Sequence, residues 1–572
     1  MQCGAGLGRW AGAILVAGSL VAVAGGGAPA RADGVTAEGA QQLEQQLHDW
    51  MTAQFGPLTK LGARPLQVSA AGDHYELTTD IGPLLAAMGG ITFTGQPFTL
   101  QLTPRDGGRW AIDQSQPSAS FTLRFPTPPG TPAGPVEVAG GFTSYEQHGV
   151  FDPSLATPSH SDAVIKGYKS SITGPGDAGT RESSLDEATL HLGMQPAGDG
   201  RVDLTEEGDG HLFVTSTTMP NLGVVSTSIE RLQGRLRLDG LDLQRLSTLT
   251  QAANELAPVG MAMAQVASAN QQKMAALTAE NRAAADADRR AAEADRQAVA
   301  AGSMTPAERS KRADDRRAKA QERQKSLQTA ISANASPAPK LSDAQTVTEH
   351  AALLALVNLL SGFEERLTAE NLHVSASGHT AHLDRLVTGF AASAPDGRAL
   401  LRLDVVLDGF SSPDIPPGVF RDYLPRHIAL SPRVGGVPVA ELREMLLSDA
   451  EHGRTPEQRH QDAEKLLADG PLVVGLDELS LDFGPATLTG QGELRFAGFN
   501  QFDGEAHLVA TDLDALIERA NTVPELKQAA PFLFLVKGMG RQDGETMVWD
   551  ITYRDGHPLV NGNDIAGMIP HK

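Results

Sequence analysis

The sequence predicts an α+β protein: an extended, curved antiparallel β-sheet or groove, crossed by helices and interrupted by a long charged helical insertion. Three observations carry this expectation. Apolar residues recur at every second position over two long stretches, from Leu66 to about Leu246 and again from Leu401 onward. Glycine (60) and proline (35) are frequent enough to supply the turns that many antiparallel strands need. Between those stretches the composition changes at Gln251 into an Ala-rich, heavily charged segment that runs to Ala335 without an aromatic residue.

These shifts divide the 572 residues into four segments. Residues 1–32 read as a signal peptide, 33–250 as an N-terminal β-rich half with a leading amphipathic helix, 251–368 as a helical insertion or coiled arm, and 369–572 as a C-terminal β-rich half. The first segment has Arg9 in a short polar head, an apolar run from Ala11 to Ala24, and small residues at Ala30 and Ala32 that fit a cleavage site. Its apolar run is Gly-containing and shorter than the roughly 20 residues a membrane-spanning helix requires. The expected location is therefore the periplasm, or outside the cell, after cleavage near Ala32. The one cysteine, Cys3, falls in the segment to be removed, so the mature chain is expected to fold without a disulfide or a cysteine metal site.

From Thr36 to Phe55, Leu43, Leu47, Trp50, Met51 and Phe55 share one helical face, and Gly56-Pro57 stops the helix. The opposite face lacks the Lys and Arg of a lipid-surface helix, so docking on a sheet is expected. Residues Gln67 to Thr78 suggest a strand pair turning at Gly72-Asp73. Phe98, Leu100 and Leu102 begin a hairpin that turns at Asp106-Gly107-Gly108 into Arg109 to Asp113. Phe121, Leu123 and Phe125 alternate likewise, as do Leu232, Leu236 and Leu238.

In the insertion, Thr305 and Glu308 form a capping box with Pro306 in the first turn, just after Gly302. Two readings stay open: two helices folded back at Gly302, or one long broken helix. Ser336 to Pro339 ends the arm, and Val347 to Leu367 reads as a further, buried apolar helix. Strands return with Leu401, Leu403, Val405 and Leu407. A helix-forming stretch spans Pro438 to Leu467. Short strands are expected at Leu479–Phe483, Ala486–Leu488, Glu493–Phe496 and Glu505–Ala510, then a helix from Asp512 to Ala520. A last hairpin turns at Asp555-Gly556.

The formal charge of −22 opposes nucleic acid phosphates and anionic headgroups at long range, so no nucleic acid partner is expected. An aromatic fraction of 5% within a hydrophobic fraction of 41% points to cores of Leu, Val and Ala rather than rings.

Two stretches, Leu476 to Gly490 and Trp549 to Gly562, resemble exported bacterial proteins of unknown function that are similar to AsmA-type envelope proteins. The resemblance covers about a third of the chain. It implies a long, twisted β-groove whose apolar inner face covers lipid chains. The insertion from Gln251 to Ala335 has no place in that pattern, and no catalytic residue carries over.

The densest set of ligand-type side chains is His373, His379, His382 and Asp384. On a strand His373 and His379 share a face, and His382 needs a turn or bulge after His379 to join them. The spacing matches no standard metal motif, so surface strand histidines are the expectation. Gly174-Pro-Gly176-Asp-Ala-Gly179 has dinucleotide-type glycine spacing but begins no apolar helix, and reads as a surface turn. No nucleophile elbow, zinc-protease pair or phosphate loop is present. No catalytic, cofactor-binding or metal residue is therefore assigned, and no cofactor is expected. The expected function is that of a non-enzymatic envelope protein binding lipid or another apolar ligand in a β-groove. Two alternatives are an interaction scaffold that meets an envelope partner through the helical arm, and a hydrolase with dispersed catalytic residues.

Overall fold

The structure, a computed structural model, describes residues 34–55, 66–87, 91–125, 135–152, 157–174, 179–219, 223–333, 347–348, 351–352, 355, 359, 361–415, 424–452, 455–484, 486–498, 501–522, 530–554 and 557–565. The signal segment and the turn at Asp555-Gly556 lie outside the described residues. The fold is α+β and mostly β, an open antiparallel sheet with helices. It forms two compact units: Met1–Thr248 with Leu354–Lys572, and Leu249–Leu353.

The sheet has 23 strands among the described residues. In the N-terminal half these are β1 (Leu66–Ala71), β2 (His74–Thr79), β3 (Thr92–Gly95), β4 (Phe98–Pro104), β5 (Trp110–Gln116) and β6 (Ala119–Phe125). Then come β7 (Val136–Phe142), β8 (Ser144–Asp152), β9 (Thr157–Thr173), β10 (Thr180–Gly198), β11 (Arg201–Met219) and β12 (Gly223–Asp242). The strands after the insertion are β13 (Gly362–Ala376), β14 (His379–Ser393), β15 (Arg398–Asp408), β16 (His427–Pro438), β17 (Leu472–Asp482), β18 (Thr487–Gly498) and β19 (Gln501–Thr511). The last four are β20 (Arg541–Asp543), β21 (Thr546–Arg554), β22 (His557–Val560) and β23 (Asn563–Asp564).

Hydrogen bonding runs β1–β2–β4–β5–β8–β9, then in chain order from β9 to β19, and on to β21. β3, β6 and β7 form a branch that meets the second half of β9. The helices of this unit include α1 (Ala37–Phe55) and α2 (Gly82–Ala87).

One line of backbone irregularities crosses the strands and explains that branch. Gly167, Leu212, Asn371 and Gly409 have φ of +60°, +52°, +52° and +68°. Extending the flanking registers places Gly167, Asp186, Leu212, Glu230, Asn371, Asp384 and Gly409 side by side on successive strands. At this line the side-chain alternation inverts. On β12 the apolar set is Val225 and Ile229 before it and Leu232, Leu236 and Leu238 after it. Ile165, Tyr168, Leu185 and Ala188 confirm the inversion. All four pack in one cluster, although Ile165 and Tyr168, like Leu185 and Ala188, are an odd number of residues apart. Thr143 interrupts β7 and β8 at the same line, opposite Gly167. The result is one sheet face that stays apolar on both sides of the line.

The second unit begins within α3 (Leu243–Ala300) and contains α4 (Pro306–Ala333). These helices are folded back on each other at Gly302, whose φ is +70°. Buried Asp295 on α3 accepts hydrogen bonds from Arg312 (3.1 Å) and Arg316 (2.6 Å) on α4, and Asp288 pairs with Arg323. Of the two readings of the insertion, the folded-back hairpin is the one observed. Thr305 caps α4 as expected: its Oγ1 accepts from the Glu308 backbone N at 3.2 Å, and Glu308 Oε2 accepts from the Thr305 backbone N at 2.9 Å.

Elsewhere the structure redraws some boundaries. The apolar helix expected to reach Leu367 gives way to β13 at Gly362, and Val347 is 70% exposed rather than buried. The helix-forming stretch after Pro438 is two helices, α5 (Val439–His452) and α6 (Pro456–Asp469). Thr455 starts the second with a reciprocal box to Gln458, and Pro456 occupies its first turn. Ala486–Leu488 and Glu493–Phe496 merge along one strand, β18, which begins at Thr487. The C-terminal helices are α7 (Leu513–Thr522) and α8 (Ala530–Met539).

Candidate apolar ligand face

Cross-strand partners share a face, so the register traces the apolar surface residue by residue. Its N-terminal end is covered. Ala40, Leu43 and Leu47 of α1 pack on Tyr75, Leu77, Leu100, Leu102 and Ile112, and Val68 N donates to Glu44 Oε2 at 3.0 Å. The helix thus docks on the sheet, as its polar face predicted. The side chains of Trp50, Met51 and Phe55 lie outside the described residues. The C-terminal end is covered too. Leu513 and Ile517 of α7, with Leu533 and Val536 of α8, pack on Leu508, Ala510, Met547 and Trp549. Trp549 Nε1 donates to the Val536 carbonyl at 2.9 Å.

Between these two caps Ile165, Tyr168, Leu204, Ile229 and Leu383 of the same face are buried, but a stretch on β14 to β18 stays open. Leu401, Val434, Val474 and Leu494 are direct partners on β15, β16, β17 and β18, and they remain 44%, 40%, 37% and 38% exposed. The adjacent pair Phe390–Leu403 is 41% and 43% exposed. Water against so many contiguous apolar side chains costs about 25 cal/mol per Å², and soluble domains seldom leave such a strip uncovered without a use for it.

Polar groups interrupt the face at several points, among them Gln114, Ser170, and Arg181, whose Nε donates to Thr215 Oγ1 at 3.3 Å. Near α1, Tyr145 Oη donates to Gln147 Oε1 and Gln147 Nε2 donates to Ser161 Oγ, both at 2.9 Å, so these buried groups satisfy each other. Burial pushes the Tyr145 hydroxyl up to about 12. Further along, Glu206 lies directly between Leu192 and Leu236, and Glu365 lies between Leu236 and Phe390. Burial pushes the Glu206 carboxyl above the usual carboxylate range. Sequence reasoning missed both glutamates. Val202, Leu204 and Glu206 do fall on one period-two register, which is the signal that could have found Glu206.

No family model, curated protein or solved structure matches the chain.

The opposite face is polar and rich in paired histidines. His148 Nδ1 lies 2.8 Å from Asp113, His427 Nδ1 2.6 Å from Asp408, and His507 Nδ1 2.8 Å from Asp550. A cavity of about 480 Å³ sits there, lined by Arg105, Arg109, Asp113, His148, His160 and Asp162 among others.

The histidine cluster seen in sequence assembles differently from expectation. Ser377 and Gly378, with φ of +54° and +84°, turn the chain before His379. His382 then meets His373 directly across the strands, ring centroids 4.1 Å apart, while His379 faces Ala376. His382 Nε2 is 2.7 Å from Asp384 Oδ1, and His379 is 3.4 Å from Asp414. No group of three His, Cys, Asp or Glu side chains converges as a metal site among the described residues. Gly174 and Gly179 close the β9–β10 hairpin through a backbone hydrogen bond of 3.4 Å, and the next element is β10, not a helix.

Proposed function

We propose that this chain is an exported, non-enzymatic envelope protein that binds a lipid or another apolar ligand along the sheet face between α1 and the α7–α8 pair. The observation that carries the reading is the open row Leu401–Val434–Val474–Leu494, held in register on four neighbouring strands. The right-handed twist that antiparallel strands carry favours a curved, groove-like form for this face. Export is supported by the n-region, apolar run and small-residue site of residues 1–32. No helix among the described residues is long and apolar enough to cross a membrane. Mass spectrometry of lipid extracted from the protein purified out of its native envelope tests the proposal. Stoichiometric acyl species are expected, and extracts that match a buffer blank would oppose it.

A second reading is supported by the hairpin of α3 and α4. Its register is fixed by its own ion pairs, and most of its described outer side chains are exposed. Such an arm suits docking to an envelope partner. Replacing residues 251–335 with a short linker should then leave the sheet folded while a cross-linked partner disappears.

A further inference from the structure

The cavity on the polar face is independent of the apolar strip, and its lining has a chemistry of its own. Two cross-strand rows form it. One is Ala111, Val150 and His160, and the next is Asp113, His148 and Asp162. The small side chains of Ala111 and Val150 leave room between the imidazoles and the turn that joins β4 to β5. Arg105 and Arg109 flank that turn, and Arg105 N donates to the Arg109 carbonyl at 2.8 Å to close it. Both arginines line the cavity of about 480 Å³, a volume in the range of small-molecule sites.

The two imidazoles are each held by a carboxylate. His148 Nδ1 lies 2.8 Å from Asp113 Oδ1, and His160 Nε2 lies 2.8 Å from Asp162 Oδ2, while Asp162 Oδ1 is 2.6 Å from His191 Nδ1. A ring nitrogen that faces a carboxylate carries the hydrogen, so the second nitrogen of each neutral ring is left as an acceptor. His148 and His160 are diagonal neighbours on β8 and β9, roughly 7–8 Å apart, a span that one small ligand bridges.

The guanidiniums are the opposite case. Among the described residues neither Arg105 nor Arg109 has a carboxylate partner, although the chain holds 69 acidic residues. Arg109 Nε donates to the Asp106 carbonyl at 3.3 Å, which leaves its terminal nitrogens open. The nearby carboxylates Asp113 and Asp162 are already engaged by imidazoles.

We propose that this cavity binds a small hydroxylated organic phosphate, with its phosphoryl group on Arg105 and Arg109 and its hydroxyls on the second nitrogens of His148 and His160. The planar guanidinium fork matches phosphoryl oxygens with two parallel hydrogen bonds. The carbon skeleton would lie over Ala111 and Val150. A cationic ligand would meet two unpaired cations, and a bare phosphate would leave both imidazoles unused. The formal charge of −22 repels anions at long range, so a preference for phosphate has to come from these local groups.

The test is calorimetric titration of the intact protein with glucose 6-phosphate, glucose and inorganic phosphate. Glucose 6-phosphate should bind about tenfold more tightly than either fragment, the size of one charge-assisted contact. In the double variant Arg105→Ala, Arg109→Ala its affinity should fall about tenfold, to the level of glucose. Both arginines are exposed, so the variant should melt with the parent. The double variant His148→Phe, His160→Phe should weaken glucose 6-phosphate while inorganic phosphate binds unchanged. Three results would overturn the proposal: no binding of glucose 6-phosphate, binding no tighter than that of glucose or of inorganic phosphate, or a preference that persists without the two arginines. None of them bears on the apolar face.

Discussion

Ile165 and Tyr168 are three residues apart on β9, yet both side chains enter the same buried cluster. An ideal strand would send them to opposite faces. Gly167, at φ +60°, supplies the inversion, and a Cβ there would lie 2.5 Å from Thr143 Oγ1. Gly167→Ala should therefore cost stability by about 1–3 kcal/mol through backbone strain alone, with the Thr143 clash added. Leu212 is at the same line with φ +52° and is half exposed. Leu212→Gly relieves about 1–2 kcal/mol of left-handed strain and loses about 0.4–1 kcal/mol to the freer unfolded chain, so it should be neutral or stabilising. Urea unfolding of both variants checks this. A Leu212→Gly protein as damaged as Gly167→Ala would contradict the role given to this line.

The helical hairpin should respond to acid in a defined direction. The Arg316 hydrogen bond first, then Arg312, holds the Asp295 carboxyl below the usual carboxylate range. A depressed folded value contributes stability that is full above the unfolded value of about 3.9 and is lost as pH falls through the folded value. Asp295→Asn should thus lower the thermal midpoint of the helical signal at pH 7. As pH is lowered toward 2 the gap between variant and parent should narrow. A gap of equal size at both pH values would rule out this ion pair as the source.

Tyr145 gives a signal at the alkaline end. Like Tyr75 and Tyr168 it is buried on the apolar face, and burial pushes its hydroxyl up to about 12. The raised folded value favours the neutral phenol. Its contribution to stability is full below the unfolded value of about 10 and fades as pH rises toward 12. Absorbance at 295 nm of the parent minus that of Tyr145→Phe should show one phenol ionising near 12. A difference that titrates near 10 would place Tyr145 in water.

Much of this architecture could be read from residue order, for physical reasons that also mark where reading failed. Leu401, Leu403, Val405 and Leu407 keep one parity throughout β15 and announce a strand. Thr305 and Glu308 announce a helix start because a capping box is a local hydrogen-bond pattern. On β10 to β14 parity inverts once within each strand, at Asp186, Leu212, Glu230, Asn371 and Asp384. Strands of 15 to 20 residues therefore look like shorter, disconnected pieces. The boundary at Gly362 was hidden because the leucines from Leu353 to Leu360 give no period that separates a buried helix from the start of β13. His373 and His382 meet only through the turn at Ser377-Gly378, and Glu206 and Glu365 come together only through pairing of strands that the whole insertion separates.

The central claim is that the strip between the two helical caps takes an apolar ligand, and binding of a fluorescent naphthylamine probe to the intact protein and to the double variant Val434→Ser, Val474→Ser tests it most directly. Both valines are more than a third exposed, so the variant should keep its stability within about 1 kcal/mol. Saturable probe binding to the parent, weakened about tenfold in the variant through loss of two apolar contacts, is the predicted result. Absence of saturable binding to the parent, or equal binding to both proteins, would contradict it.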